Sequence, residues 1–368
     1  MANSRTVGRP LQREDGQGKV TGSAHYTADV PRADTLWGKI LHSPLAHARI
    51  VHIDASRAKK VRGVKALITG QDVSDKLTGR TLKDLPVVAR DRVRFIGDKV
   101  AAVAAVDKDS AEEALSLIDV EYEELPAIFD PLEAIKPDAI LLHPDYASYA
   151  TPSASRASDL RNIQSVIRAS KGDLDQGFRE SDKIFEHTFQ TQMVHQGYIE
   201  PTTSLVDIDG EGRVLVWAAT QSPFSARDQL AQFLDLPNDR VIVHPIVVGG
   251  SFGGKDYVGD ILVAYYLAQQ TGKPLRIVRT YAEELMASAP RHPSIIRLRT
   301  GIKKDGRLWA RDARVIYNGG AYGAFKPSPP AHMSGGLTMG GAYRVPHTRL
   351  ESLCVYTNQV PGGYMRAS

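Results

Sequence analysis

The feature that most constrains this chain is a glycine loop set between an apolar strand and an apolar helix. The run Val241-Ile242-Val243-His244-Pro245-Ile246-Val247-Val248 reads as a strand, Gly249-Gly250-Ser251-Phe252-Gly253-Gly254-Lys255-Asp256 as the loop, and 261–268 as a helix. Four glycines within six residues remove Cβ atoms where the backbone must turn sharply, so amide groups can close on a bound group. A helix starting just beyond the loop would add its positive dipole end, which favours an anionic or electron-rich ligand. A strand-to-helix turn with no ligand uses the same residues, and the loop alone does not separate the two. The spacing from Gly249 to Gly254-Lys255 also matches a nucleotide-binding P-loop. Asp256, however, stands where that motif needs a hydroxyl on magnesium, and a carboxylate there would repel phosphates.

A length of 368 residues allows two or three domains, each with its own core. A net charge of +4, evenly mixed in sign, gives no argument for nucleic acid. No apolar run approaches the ~18 residues of a membrane span. The first ten residues lack the apolar core of a signal peptide, so a cytoplasmic location is expected. Cys354 is the only cysteine. These residues therefore hold no intramolecular disulfide and no iron–sulfur cluster bound by four thiolates. Within the alternating run Leu353-Cys354-Val355-Tyr356, Cys354 reads as a small buried residue.

Taken in order, residues 1–15 form a polar arm, 16–22 a turn-rich segment and 26–29 a short extended piece. Strands over 36–41, 49–53, 64–68, 100–106 and 118–122 interleave with helices over 55–60 and 108–118, which predicts an α+β domain spanning 16–135. His42 and His47 flank a proline loop without further metal ligands and read as solvated or interface histidines. Residues 136–162 have linker composition. A second unit starts near 163, with a helix over 174–181 and an alternating strand over 183–192. A hairpin over 204–217 follows, turning at Asp209-Gly210-Glu211-Gly212. Beyond it come a helix over 226–234, the glycine loop, and strands over 275–279, 296–300 and 313–317.

In their order and spacing these motifs resemble the molybdenum-binding large subunit of the xanthine dehydrogenase and aldehyde oxidase family. The resemblance rests on 16–30, Ser43-Pro44 with His47-Ala48, Glu200-Pro201, Thr220-Gln221-Ser222-Pro223, the loop 249–255, and Gly363-Tyr364-Met365-Arg366. It implies an α/β-hammerhead domain over 16–135, then the first molybdopterin-binding domain over 163–368, incomplete at its C-terminus. It also implies that Gln221 donates to an oxygen on molybdenum. The backbone of Gly250, Ser251, Phe252 and Gly253 would approach the cofactor, Arg366 would help hold the pterin, and no protein atom would bind the metal directly. The residue types suit those roles: a glutamine amide is a neutral donor, and an arginine presents a planar fork of donors.

By the same resemblance the reaction is hydroxylation of an electron-poor carbon with water as the oxygen source. Electrons would leave through iron–sulfur clusters and FAD on a small and a medium partner subunit. The family's base glutamate lies in a half of the large subunit beyond Ser368, so the expectation is a fragment, or one part of a split subunit, that does not turn over alone. Purine hydroxylases of the family carry Glu and Arg where Asp256 and Ser334 stand, which argues against xanthine. The second loop lacks the cysteine of the carbon monoxide branch. An aldehyde, a nitrogen heterocycle or an aromatic acyl thioester remains as substrate, with the molybdopterin either plain or carrying a nucleotide. Two other functional readings compete: a cofactor-free assembly module that binds the partner subunits, and a P-loop-like nucleotide-binding protein.

Overall fold

A computed structural model describes residues 6–150, 161–326 and 338–366. Helix α1 (Gly16–Thr21) precedes strands β1 (Leu36–His42), β2 (Ala48–Asp54), β3 (Val64–Thr69), β4 (Arg92–Val93) and β5 (Lys99–Ala105). Helix α2 (Lys108–Ser116), strand β6 (Asp119–Glu124) and helix α3 (Pro131–Ala134) follow. The later stretch runs β7 (Ile163–Lys171), α4 (Leu174–Arg179), β8 (Lys183–Thr191), β9 (Thr203–Ile208), β10 (Val214–Ala218), α5 (Pro223–Leu234) and β11 (Val241–His244). It ends with α6 (Gly259–Thr271), β12 (Leu275–Val278), α7 (Tyr281–Ala287), β13 (Ser294–Ile302), β14 (Leu308–Gly320) and β15 (His347–Tyr356).

The central sheet, in the order β11-β10-β9-β12-β1-β5-β3, joins strands from both stretches. The joint is β1 beside β12, a parallel pair with Gly38 opposite Ile277. A Cβ on Gly38 would lie 2.7 Å from the Ile277 side chain, so glycine is what lets the two stretches close. Strand β5 is buried on both faces. Its Ala102 and Ala104 face the core that contains α6, and Ala101 and Val103 face the one that contains α2. Small side chains let a helix approach each face. Helix α6 is apolar all round because it is packed all round. The other sheets are β7-β15-β14-β13-β8 and β4-β2-β6.

Four local expectations change. Residues 16–22 contain α1, and the extended piece expected at 26–29 is a 3-10 turn over Thr27–Asp29, closed by the Tyr26 amide donating to Asp29 Oδ2 at 3.0 Å. Strand β11 stops at His244, because Pro245 has no amide to continue the ladder. Neither histidine is solvated. His47 is buried and its Nδ1 donates to the Pro126 carbonyl at 2.6 Å. The Nε2 of His42 is buried without a partner, and burial with Arg279 and Lys99 nearby pushes its pKa down to about 3.

The first stretch also grips the last through two buried carboxyl groups. Asp84 accepts from the amides of Gly323 (2.6 Å) and Ala324 (3.0 Å) and from the Tyr356 hydroxyl (2.8 Å). Asp98 accepts from the Arg94 amide (3.0 Å) and the Tyr322 hydroxyl (2.9 Å). Burial nevertheless pushes both up to about 6. At these two groups the folded chain holds protons that the unfolded chain releases between roughly pH 4 and pH 6, so their contribution to stability falls as pH rises through that window, opposite in sign to that of the buried His42, His143 and His292, whose pKa values burial lowers. Between urea unfolding at pH 4.5 and at pH 7 each group is expected to contribute a loss of about 2 kcal/mol. Asp98→Asn should remove about half of that slope; an unchanged slope would clear Asp98 as its source.

Candidate functional site

Strands β10 and β11 are parallel neighbours, Trp217 opposite His244. The connections that leave their C-terminal ends therefore emerge on the same edge of the central sheet, the edge where ligands collect in open sheets of this kind. One connection carries Thr220, Gln221 and Ser222 into α5; the other carries the glycine loop into α6. A narrow cleft between them is lined by Thr220, Gly254, Lys255, Asp260, Arg279 and Ser288. A third segment arrives from the other sheet. The Gly363 amide donates to the Pro290 carbonyl at 2.7 Å, and the Arg366 amide donates to the Phe252 carbonyl at 3.0 Å. That last bond joins the glycine loop to the segment 363–366.

The joint is strained. Phe252 and Arg366 both have φ near +50°, although neither is glycine, and each such residue costs of order 1–3 kcal/mol. Gly250 and Gly253, at φ +102° and +96°, hold the loop where side chains would not fit. A Cβ at Gly250 would meet Tyr198, and one at Gly253 would lie 2.9 Å from the Tyr364 carbonyl oxygen. Phe252 is left 48% exposed. The loop presents its backbone and one aromatic ring outward.

Beneath the loop lies a network of buried charge. Asp260 Oδ1 and Oδ2 accept from Arg279 at 2.8 and 2.6 Å, and Oδ1 also meets the Lys99 ammonium at 3.0 Å. Burial works against its ionised form, but these two cations hold the Asp260 carboxyl below the ordinary range. Glu284, fully buried, accepts from the Tyr198 hydroxyl (2.5 Å) and the Thr202 amide (2.6 Å). Glu200 Oε2 accepts from the Gly249 amide (2.7 Å) and the Lys255 ammonium (3.3 Å), and that ammonium sits 4.5 Å from the centre of the Tyr198 ring. Burial lowers the Lys255 pKa, with Glu200 opposing the shift.

Two expectations fail here. Lys255 points inward to Glu200 and is buried, so it offers no phosphate contact of the P-loop kind. The first turn of α6 is occupied by the Asp260 carboxylate, so its dipole supports this network instead of an outside ligand. Of the residues singled out in the sequence, Gln221 is exposed and its side chain makes no hydrogen bond among the described residues. Gly250, Ser251, Phe252, Gly253 and the Arg366 backbone come together as described. Asp256 is half-buried, 3.7 Å from Arg80, and its Oδ1 has no donor. Burial raises its pKa, opposed by Arg80 and a hydrogen bond from Ser222. Ser334 lies outside the described residues.

Sequence reasoning missed Gln196, Tyr198 and Glu284. The Gln196 amide donates to the carbonyls of Ala289 (2.8 Å) and Tyr364 (2.7 Å), which ties the third segment down. Nothing in the sequence marks it. Glu284 follows the helix-capping pair Thr280 and Glu283 and looks like another surface carboxylate of a first turn.

Residues 158–368 match the molybdopterin cofactor-binding domain family, and residues 21–126 the a/b hammerhead domain of aldehyde oxidase and xanthine dehydrogenase. The chain is 35% identical to a probable xanthine dehydrogenase subunit of Bacillus subtilis, over 96% of its own length and 45% of that protein's. It is 33% identical to the nicotinate dehydrogenase large molybdopterin subunit of Eubacterium barkeri, over 98% of its own length and 81% of the relative's. The chain thus spans less than half of the first relative but most of the second. Among solved structures, quinoline 2-oxidoreductase of Pseudomonas putida 86 superposes with a TM-score of 0.87 at 28% identity, covering 97% of this chain and 45% of that one.

Gly253→Ala is expected to part the segment 363–366 from the loop and to cost about 1–3 kcal/mol in urea unfolding. Gly272→Ala, also at positive φ but with open space around it, should cost about 1 kcal/mol, that of the left-handed backbone alone. Lys255→Met, which strips the buried Glu200 of its counter-ion, should cost about 3 kcal/mol. Equal losses in the two glycine variants would show that the Tyr364 contact carries no weight.

Proposed function

The chain belongs to the aldehyde oxidase and xanthine dehydrogenase family of molybdopterin oxidoreductases, and on that premise we propose that it forms the cofactor-facing part of an enzyme hydroxylating an electron-poor carbon of a nitrogen heterocycle. The observation that carries this reading is the strained joint of Phe252 and Arg366 on the same sheet edge as the Gln221 amide, which is unpaired among the described residues. The residues fit a molybdopterin group. Two glycines let the loop close on Tyr198 and Tyr364 with its backbone turned outward, and a neutral donor unpaired among the described residues stands on the same sheet edge. The bound group supplies the redox centre at which the substrate is oxidised. The chain's part is positional. The Gln221 amide donates to an oxygen of the cofactor, the backbone of Gly250 to Gly253 closes against it, and the Arg366 side chain holds the pterin.

The heterocycle is favoured over an aldehyde or an acyl thioester because two of the similar proteins are named for nicotinate and quinoline, both nitrogen-containing rings. Asp256 agrees with this choice. Its Oδ1 lacks a donor among the described residues, as an acceptor awaiting a ring N–H would, and Arg80 opposes the rise in pKa that burial imposes on it. It is one methylene shorter than a glutamate, which counts against xanthine. The sole cysteine, Cys354, is buried and donates to Gln164 Oε1 at 3.3 Å. On this reading iron–sulfur clusters lie in polypeptide outside these residues, assigned with FAD to partner subunits, and so does the proton-abstracting base.

The test is metal and pterin analysis of the complex isolated from its native source through this chain. About one molybdenum per chain is expected. Gln221→Ala should keep that metal and lower kcat roughly 100-fold, as for loss of a donor that acts on developing charge. Absence of molybdenum from an intact complex would leave the assembly-module reading instead.

A further inference from the structure

The sheet β7-β15-β14-β13-β8 has one face that is only partly covered. Along β14, successive residues on this face are Ile316, Arg314, Asp312 and Ala310. Helix α3 packs Ala134 and Leu132 over the row of Ile316 and Leu353. Helix α4 lies over the row of Ala310 and His347, where Gly177 meets both side chains. Among the described residues the two rows between them are open, and they floor a cavity of about 760 Å³. Six residues separate Ile316 from Ala310, roughly 20 Å at a strand rise near 3.4 Å. Helices pack at about 8–10 Å between axes, so the opening between α3 and α4 has the width of one further helix. It runs across five strands, roughly 19 Å at about 4.8 Å per strand.

The floor is charged. In the first row Arg168 lies opposite Glu351, Glu351 opposite Arg314, and Arg314 opposite Arg297. In the second, Arg349 lies opposite Asp312, Asp312 opposite Arg299, and Arg299 opposite Glu186. Glu351 is shared: Oε1 meets Arg168 at 2.8 Å, and Oε2 meets Arg314 at 2.7 Å without hydrogen-bond alignment. Arg349 pairs with Asp312 and Arg299 with Glu186. Arg297 has no ion pair among the described residues. Five guanidinium groups thus face three carboxylates, and the unmet positive charge sits where Arg297 and Arg314 oppose each other. Like charges directly opposite in a sheet destabilise it unless something outside neutralises them.

We propose that this trough is the docking site for an acidic helix of a partner subunit. A single small anion would answer the charge but not the length of five strands. An apolar helix would leave the arginines desolvated and unpaired. A helix with carboxylates on one face answers both. The inference rests on the multisubunit part of the proposed function and is independent of cofactor occupancy.

The test compares the native complex carrying wild-type chain with one carrying Arg297→Glu, which places a carboxylate opposite Arg314. The variant is expected to lose a subunit on gel filtration at physiological salt, with association weakened roughly tenfold or more. Molybdenum per chain should be unchanged, which separates failure of docking from failure of the cofactor reading. The melting temperature of the chain should hold or rise, because a repulsive pair is removed. Arg297→Gln, a milder change, should weaken association in the same direction and serves if the charge reversal does not fold. Retention of every subunit with unchanged salt dependence would overturn the proposal. So would inorganic phosphate stabilising wild type but not the variant while every subunit stays bound, because the trough would then be a small-anion site.

Discussion

The structure depends on one buried carboxylate. Asp260 opens the helix that follows the glycine loop, and it takes Arg279 from the end of β12 and Lys99 from the start of β5. Those cations come from opposite ends of the sequence, so a single side chain fixes the helix to the central sheet at the joint of its two halves. A buried ion group of this kind is weak as a source of net stability, since hydrophobic replacement of all members is often tolerated. Its value lies in geometry. Each charge must meet its partners or remain stranded in a poor solvent for ions, which leaves the helix, the strand ends and the loop between them one arrangement.

That arrangement holds the loop from below while leaving its upper side free. Glu200 draws in Lys255 and the Gly249 amide, Tyr198 and Glu284 fill the space beneath, and Gln196 fastens the incoming segment 363–366. The strain at Phe252 and Arg366 is tolerated because so many neighbours fix both ends. Rigid placement of unspent donors is what a site needs in order to act on charge without first reorganising. The Gln221 amide is unspent, exposed on the same sheet edge and without a hydrogen bond among the described residues.

The elements that were legible in the sequence are those whose pattern is local. Helix α6 was visible as an unbroken apolar run and β5 as an apolar one, and the hairpin of β9 and β10 was announced by its Asp-Gly-Glu-Gly turn. Cys354 followed from alternation alone. The motifs around Gln221 and the glycine loop were legible too, because each is contiguous. What was not legible is pairing across distance. Arg80 with Asp256, Glu284 with Tyr198, and Gln196 with Tyr364 are each formed by residues far apart in the chain, and none has a local signature. The same limit explains the histidines: His47 looked solvated until a carbonyl 79 positions away proved to be its partner.

The sequence by itself determined the identity of the elements, the family and the loops that carry the candidate site. Periodicity, turn chemistry and glycine spacing act over a few residues and survive in one dimension. Only the tertiary structure decided which charges are spent and which are free. Lys255 and the α6 dipole, both offered by the sequence as ligand contacts, are consumed internally, whereas the arginine rows of the five-stranded sheet are left in excess. The physical reason is that the state of a charge is set by its solvent and its neighbours, and the fold supplies both.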